Sequence, residues 1–92
     1  MQWFMKRLGG VKLIMMCKID TVQKVKKFTD ICNQYNGHIF VYTQEGYIVD
    51  GKSIMGIFSI NIMNPLRVLM EDEPDEEIIK SFYDKIREFE DR

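Results

Sequence analysis

A strand that leads directly into a Gly-Lys-Ser turn and a short apolar helix restricts the fold of this chain more than any other stretch. Residues 47–49 are β-branched or aromatic and favour extended backbone. Ser53 stands where the N-cap of a helix belongs, since its hydroxyl can accept a hydrogen bond from an N–H two or three residues later. Ile54, Ile57 and Phe58 then fall on one helical face. The domain must therefore combine sheet and helix.

The same stretch satisfies a nucleotide-binding pattern, because residues 46–53 match G-x-x-x-x-G-K-[ST]. Such a loop has to follow a buried strand and bend its four variable residues around a phosphate. Here these residues include Ile48 and Val49, which favour extended backbone, and Gly46 stands at the predicted tip of a hairpin. We interpret the match as coincidental and predict no nucleotide and no other cofactor.

The rest of the chain alternates strand and helix patterns in the order β-α-β-β-α-β-α. Asp20 and Gln23 form a capping-box pattern for the first helix, and Pro74 is expected in the first turn of the last. Four strands with three helices on one face make a two-layer α+β domain. The predicted elements are a strand over 11–19, a helix over 20–35, a hairpin over 38–50, a short helix over 53–60, a strand over 66–70 and a helix from the acidic run 71–77 to residue 89.

Composition excludes several classes of function. The 92 residues suffice for one domain, and the net charge of −1 provides no basic surface for nucleic acid or for a membrane. No apolar run approaches the ~20 residues that span a bilayer. The acidic run 71–77 lacks the ligand spacing of a calcium loop, so no metal site is predicted. Cys17 and Cys32 fall in apolar patterns and are expected to be buried thiols in a reducing cytoplasm.

The first ten residues are predicted to be an N-terminal extension that Gly9 and Gly10 join to a domain over 11–92. The extension contains Trp3, Phe4 and Met5. Three alternatives stay open for it: it docks on the domain, it docks on another copy, or it is a frayed tail. The sequence leaves the oligomeric state open.

Residues 49–56 resemble the regulatory-serine segment of HPr, the histidine-containing phosphocarrier protein of the sugar phosphotransferase system. That segment reads much like V-N-x-K-S-I-M-G in the family, and Lys52 to Gly56 match it without a gap. The resemblance implies an HPr-like two-layer sandwich with a four-stranded antiparallel sheet. It also implies that a dedicated HPr kinase phosphorylates Ser53. The partner-binding residues it implies lie on the first helix and around the serine: Lys24, Lys27, Lys52, Ile54, Met55 and Phe58.

The phosphocarrier chemistry of that family needs a histidine at the start of the first helix, in a segment like G-x-H-A-R-P. Thr21 or Val22 falls at this position here, and Gln23 or Lys24 falls at the arginine position. The only histidine, His38, belongs to the start of a predicted strand. The degenerate position resembles the catabolite-repression paralogue of HPr, which also lacks the histidine and works through its phosphoserine.

The sequence therefore predicts a non-enzymatic, cytoplasmic, HPr-like domain that binds protein partners, an HPr kinase or a transcriptional regulator. Ser53 is either its regulatory phosphorylation site or only a helix cap. Two alternatives remain: a residual phosphocarrier that uses Thr21 or His38, and a structural module that self-associates through Trp3 and Phe4 or a sheet edge.

Overall fold

The structure, a computed structural model, describes residues 11–91. It confirms the predicted α+β class and the β-α-β-β-α-β-α order, and it adds a 3₁₀ turn at Arg87–Phe89. The predicted extension over 1–10 lies outside the described residues. The elements are β1 (Val11–Cys17), α1 (Val22–Cys32), β2 (His38–Tyr42), β3 (Ile48–Asp50), α2 (Ile54–Phe58), β4 (Leu66–Glu71) and α3 (Glu76–Ile86).

The strands form one antiparallel sheet in the order β1-β4-β2-β3. The antiparallel sheet implied by the resemblance is therefore confirmed. β2 and β3 form the predicted hairpin, whose turn contains Gly46 at a φ of 99°. Glycine adopts this left-handed conformation without steric cost, which explains its place at the tip.

All three helices pack on one face of the sheet, where the core lies. Strand β4 contributes Leu66, Val68 and Met70, each at most 1% exposed, because alternate side chains of a strand point to the same face. Phe28 of α1 and Phe82 of α3 are fully buried above them. Helix stripes and alternate strand residues thus enclose a single apolar core.

The opposite face of the sheet also carries apolar side chains, but these are exposed or half-buried. Residues directly opposite each other on paired strands share a face, so the pairs Leu13–Leu69, Leu69–Phe40 and Tyr42–Ile48 identify it. We call this surface the open face. Its apolar residues are Leu13, Met16, Phe40, Tyr42, Ile48 and Leu69.

The first helix differs from its prediction at both ends. Thr21, not Asp20, is the N-cap, and its Oγ1 accepts from the Lys24 N–H at 3.1 Å. The helix ends at Cys32 rather than Tyr35, because Asn33 caps it with a side chain that donates to the Thr29 carbonyl. Val22, the first residue of the helix, is 51% exposed.

The last helix begins later than predicted. Strand β4 continues to Glu71, and Asp75 is the N-cap of α3, accepting from the Glu77 N–H at 2.9 Å. Pro74 therefore precedes the cap instead of occupying the first turn. Ile79, Phe82 and Ile86 form the buried stripe of α3, whereas Ile78 is 37% exposed.

Candidate functional site

Ser53 caps α2 as the sequence predicted. The turn before it is closed by the Asp50 carboxylate, which accepts from the Lys52 N–H at 2.8 Å. Ser53 has extended backbone (φ −106°, ψ 110°), and its Oγ accepts from the Gly56 N–H at 3.0 Å. The hydroxyl satisfies one of the N–H groups that the first turn of a helix leaves without an intrahelical partner.

Two glycines let the chain pass through this turn. A Cβ at Gly51 would lie 2.8 Å from Cγ2 of Ile39, so the turn runs directly against β2. A Cβ at Gly56 would lie 3.2 Å from the Ser53 Oγ. The absence of a side chain at Gly56 therefore allows the hydroxyl to approach the helix N–H group closely.

Lys52 connects the turn to the end of α1. Its ammonium donates to the Tyr35 carbonyl oxygen, and its own carbonyl accepts from the Asn33 side chain at 3.2 Å. Tyr35 lies two residues beyond the C-cap Asn33, so the ammonium joins the serine turn to the loop that follows α1. The resemblance implies that Lys52 binds partners, and its ammonium is engaged within the domain by the Tyr35 carbonyl. A role in partner binding stays a prediction for this half-buried side chain.

Apolar side chains on the surface of α2 follow Ser53 along the chain. Met55 is 79% exposed, Phe58 41% and Ile54 37%, whereas Ile57 is fully buried. The one face predicted for Ile54, Ile57 and Phe58 is thus divided between core and solvent. We call Ile54, Met55 and Phe58 the α2 patch.

The two lysines predicted to bind partners lie on the surface of α1, and both form ion pairs. Lys24 pairs with Asp20 at 3.2 Å, and Lys27 pairs with Glu88 at 2.8 Å. The hydrogen bond from Lys24 lowers the pKa of the Asp20 carboxyl below its usual value. Because these pairs are exposed, partner carboxylates would compete with them at little cost.

Thr21 and Ser53 are not brought together. Each caps the start of its helix, but Ser53 follows Lys52, which contacts the opposite end of α1 through Asn33. The twelve residues from Thr21 to Asn33 correspond to ~18 Å of helix. Thr21 and Val22, which the resemblance places at the phosphocarrier position, therefore lie one helix length from the serine turn.

His38 is also remote from the start of α1. It pairs with Glu71 at one end of β4, whereas Cys17, which precedes α1, pairs with Leu66 at the other. Five residues of strand separate these pairs by ~17 Å. The imidazole is exposed and lies 3.9 Å from the Asp72 carboxylate.

Both thiols are buried, as the sequence predicted. Burial, reinforced by the charge of Glu90, raises the pKa of Cys17 to about 12, and burial likewise raises the pKa of Cys32. Neither sulfur is available as a thiolate for nucleophilic or metal chemistry near neutral pH. Between Val11 and Asp91, no group of three or more histidine, cysteine or acidic side chains is arranged to hold a metal ion.

Sequence reasoning missed a charged contact between β1 and α3. The side chain of Lys12 is only 3% exposed, and its ammonium lies 2.9 Å from the carboxylate of Glu76, which is 62% exposed. The signal was present, since Lys12 interrupts an otherwise apolar run. The distance between the two residues along the chain concealed the partner.

No protein-family model matches this chain, and a search of the curated proteins found no match. No helix within the described part of the chain has the length and apolar character to cross a membrane.

Solved structures resemble the domain over most of its length. HPr-C-His from Thermoanaerobacter tengcongensis superposes with a TM-score of 0.60 and 25% identity, covering 84% of this chain and 88% of that one. The phosphocarrier protein HPr from Bacillus anthracis superposes with a TM-score of 0.58 and 22% identity, covering 83% of this chain and 94% of that one. Crh from Bacillus subtilis superposes with a TM-score of 0.58 and 18% identity, covering 100% of this chain and 98% of that one. It is a catabolite-repression protein described as a dimer with a swapped domain. The chain thus has the fold of HPr and Crh.

Proposed function

We propose that this chain is a non-enzymatic, cytoplasmic, HPr-like domain that binds protein partners and is regulated by phosphorylation of Ser53. The observation that carries the proposal is the position of Ser53 in an HPr fold: it caps α2 and is followed along the chain by the exposed α2 patch. The match of Lys52 to Gly56 to the regulatory-serine segment supports it independently. The partners we propose are an HPr kinase and a transcriptional regulator.

Phosphorylation would change the chemistry of this surface. The hydroxyl now accepts one hydrogen bond, from Gly56. A phosphate would add a charge of about −1.5 to −2 and three acceptor oxygens beside an apolar patch. A partner that recognises only the apolar side chains of Ile54, Met55 and Phe58 would lose affinity, because its contact surface would now carry a charge. A partner with an arginine or lysine next to an apolar groove would gain affinity.

The test is incubation of the chain with an HPr kinase and ATP, followed by intact-mass and peptide mass spectrometry. We expect one phosphate, located on Ser53, and none on the Ser53→Ala variant. Ser59→Ala is the matched control, because Ser59 flanks the other end of α2 and is exposed; it should be modified like the parent chain. Absence of phosphate on Ser53, while an HPr in the same reaction is modified, would remove the regulatory role.

The phosphocarrier alternative is separated by a second assay. Transfer of label from phosphoenolpyruvate through the first enzyme of the sugar phosphotransferase system is expected to leave this chain unlabelled. The Thr21 hydroxyl is a weak nucleophile that caps α1, and His38 lies at the far end of β4. Acid-labile label on the parent chain that disappears in His38→Ala would support a phosphocarrier instead.

A further inference from the structure

The open face contains an apolar groove that the proposed function does not use. The surface that lines it is almost entirely apolar and comes from side chains of three adjacent strands, and its volume is about 270 Å³. This lies just below the ~300–1,000 Å³ typical of sites for small molecules and suits a large protein side chain. Ile48, 57% exposed, stands at one margin. The lining residues are Phe40, Tyr42, Ile48, Leu69 and Glu71.

We propose that residues 1–8 of this same chain bind across the open face, with the aromatic pair Trp3 and Phe4 over the groove. These eight residues include five large apolar side chains, Met1, Trp3, Phe4, Met5 and Leu8. Transfer of these side chains out of water lowers the free energy, and docking also removes the exposed apolar side chains of the sheet from water. The proposal concerns a different surface from Ser53 and does not depend on its phosphorylation.

The segment is long enough to reach the groove. Val11, where β1 begins, pairs with Glu71, and Glu71 itself lines the groove. The sheet from β1 to β3 is three strand spacings wide, or ~14 Å. Trp3 precedes Val11 by eight residues, an extended span of up to ~26 Å. The aromatic pair can therefore lie anywhere along the groove.

Strand β1 begins at Val11 and runs along the sheet from there. A segment that precedes Val11 must therefore reverse direction before it can lie on the open face. Gly9 and Gly10 stand at that point. Glycine adopts left-handed backbone at no steric cost and is a preferred residue for tight reversals. The sequence thus supplies a turn where the proposed path requires one.

Charge complementarity favours the same placement. Lys6 and Arg7 follow the aromatic pair and precede the two glycines. The end of the groove nearest to Val11 carries Glu71, and Asp72 follows it. Two cations would therefore lie beside two carboxylates where the segment enters, whereas Arg67 pairs with Tyr42 towards the far end.

Fluorescence of the full chain tests the proposal directly, because Trp3 is its only tryptophan. We expect blue-shifted emission that is protected from acrylamide quenching and independent of protein concentration. Ile48→Lys should shift the emission to that of solvated tryptophan and raise the quenching constant. Met55→Lys is the matched control: it places the same charge on the exposed α2 patch and should leave the emission unchanged. Circular dichroism verifies that both variants are folded.

Three outcomes would overturn the proposal. Emission of solvated tryptophan in the parent chain would show that Trp3 is not docked. Blue-shifted emission that Ile48→Lys leaves unaltered would locate Trp3 on another surface. A blue shift that disappears on dilution, together with a larger hydrodynamic radius at high concentration, would identify a second copy as the occupant of the open face.

Discussion

At the scale of single residues, hydroxyl and carboxylate caps determine where each helix starts. Thr21, Ser53 and Asp75 each accept a hydrogen bond from an N–H two or three residues later. Each therefore satisfies a donor that the helix itself leaves unpaired. For Ser53 this structural role coexists with the proposed regulatory one, so a change at this position affects stability as well as modification.

We expect Ser53→Ala to lower the free energy of unfolding by about 1 kcal/mol, because the Gly56 N–H loses its acceptor. Thr21→Ala, which removes the equivalent hydrogen bond of α1, should cost a similar amount. Urea denaturation measures both. A Ser53→Ala variant as stable as the parent would mean that the cap contributes nothing to the free energy of unfolding.

The buried thiol of Cys17 predicts a dependence of stability on alkaline pH. In the unfolded chain this thiol loses its proton near pH ~8.5, whereas in the folded chain its pKa is raised to about 12. Between these values the unfolded state binds fewer protons, so the free energy of unfolding falls as pH rises, by up to ~1.4 kcal/mol per pH unit. Denaturation from pH 8 to 11 should therefore show a flatter profile for Cys17→Ala, and parallel profiles would contradict the assignment.

At the scale of elements, long-range polar contacts hold helices to strands and to one another. Lys52 and Asn33 join the serine turn to the end of α1, and Lys12 joins β1 to the first turn of α3. A nearly buried ammonium is costly unless an anion compensates it. The contact between Lys12 and Glu76 therefore orients α3 on the edge strand of the sheet.

We expect Glu76→Gln to destabilise the domain by about 1–2 kcal/mol, less than the ~3–5 kcal/mol of a fully buried pair, because Glu76 is largely exposed. Glu77→Gln is the matched control, since it removes a carboxylate from the same helical turn. It should cost only the ~0.3–1 kcal/mol of the helix dipole. Lys12→Met should be tolerated better than Glu76→Gln because it buries no charge. Equal effects of Glu76→Gln and Glu77→Gln in urea denaturation would refute this role.

At the scale of the whole molecule, the two faces of the sheet behave differently. One face carries three helices and a continuous core, and the other presents the open face and its groove. On the helical side, burial also differs between phenylalanines: Phe82 is fully buried in the core, and Phe58 on the α2 patch is 41% exposed.

We expect Phe82→Ala to lower the free energy of unfolding by about 3–5 kcal/mol, because it leaves a cavity in the only core of the described domain. Phe58→Ala should cost less than ~1 kcal/mol, since much of its ring is already solvated. Thermal and urea denaturation compare the two variants. A cost for Phe58→Ala as large as that for Phe82→Ala would mean that the α2 patch belongs to the core and is not a docking surface.

Local patterns in the sequence were enough to predict the element order, the α+β class, the cap at Ser53 and the hairpin tip at Gly46. These features depend on backbone preferences and hydrogen bonds within a few residues, so neighbouring residues alone contain the information. Element ends were less predictable: Asp20 and Thr21 both suit an N-cap, and in the structure Thr21 caps the helix while Asp20 pairs with Lys24.

The contacts of Lys12 and Lys52 and the groove on the open face could not be predicted from local patterns. Lys12 and Glu76 are 64 positions apart, and the groove requires three strands in a non-sequential order. The free energy of such contacts depends on which surfaces pack together in the folded chain. The periodicity within one helix or strand does not determine which distant residues those are.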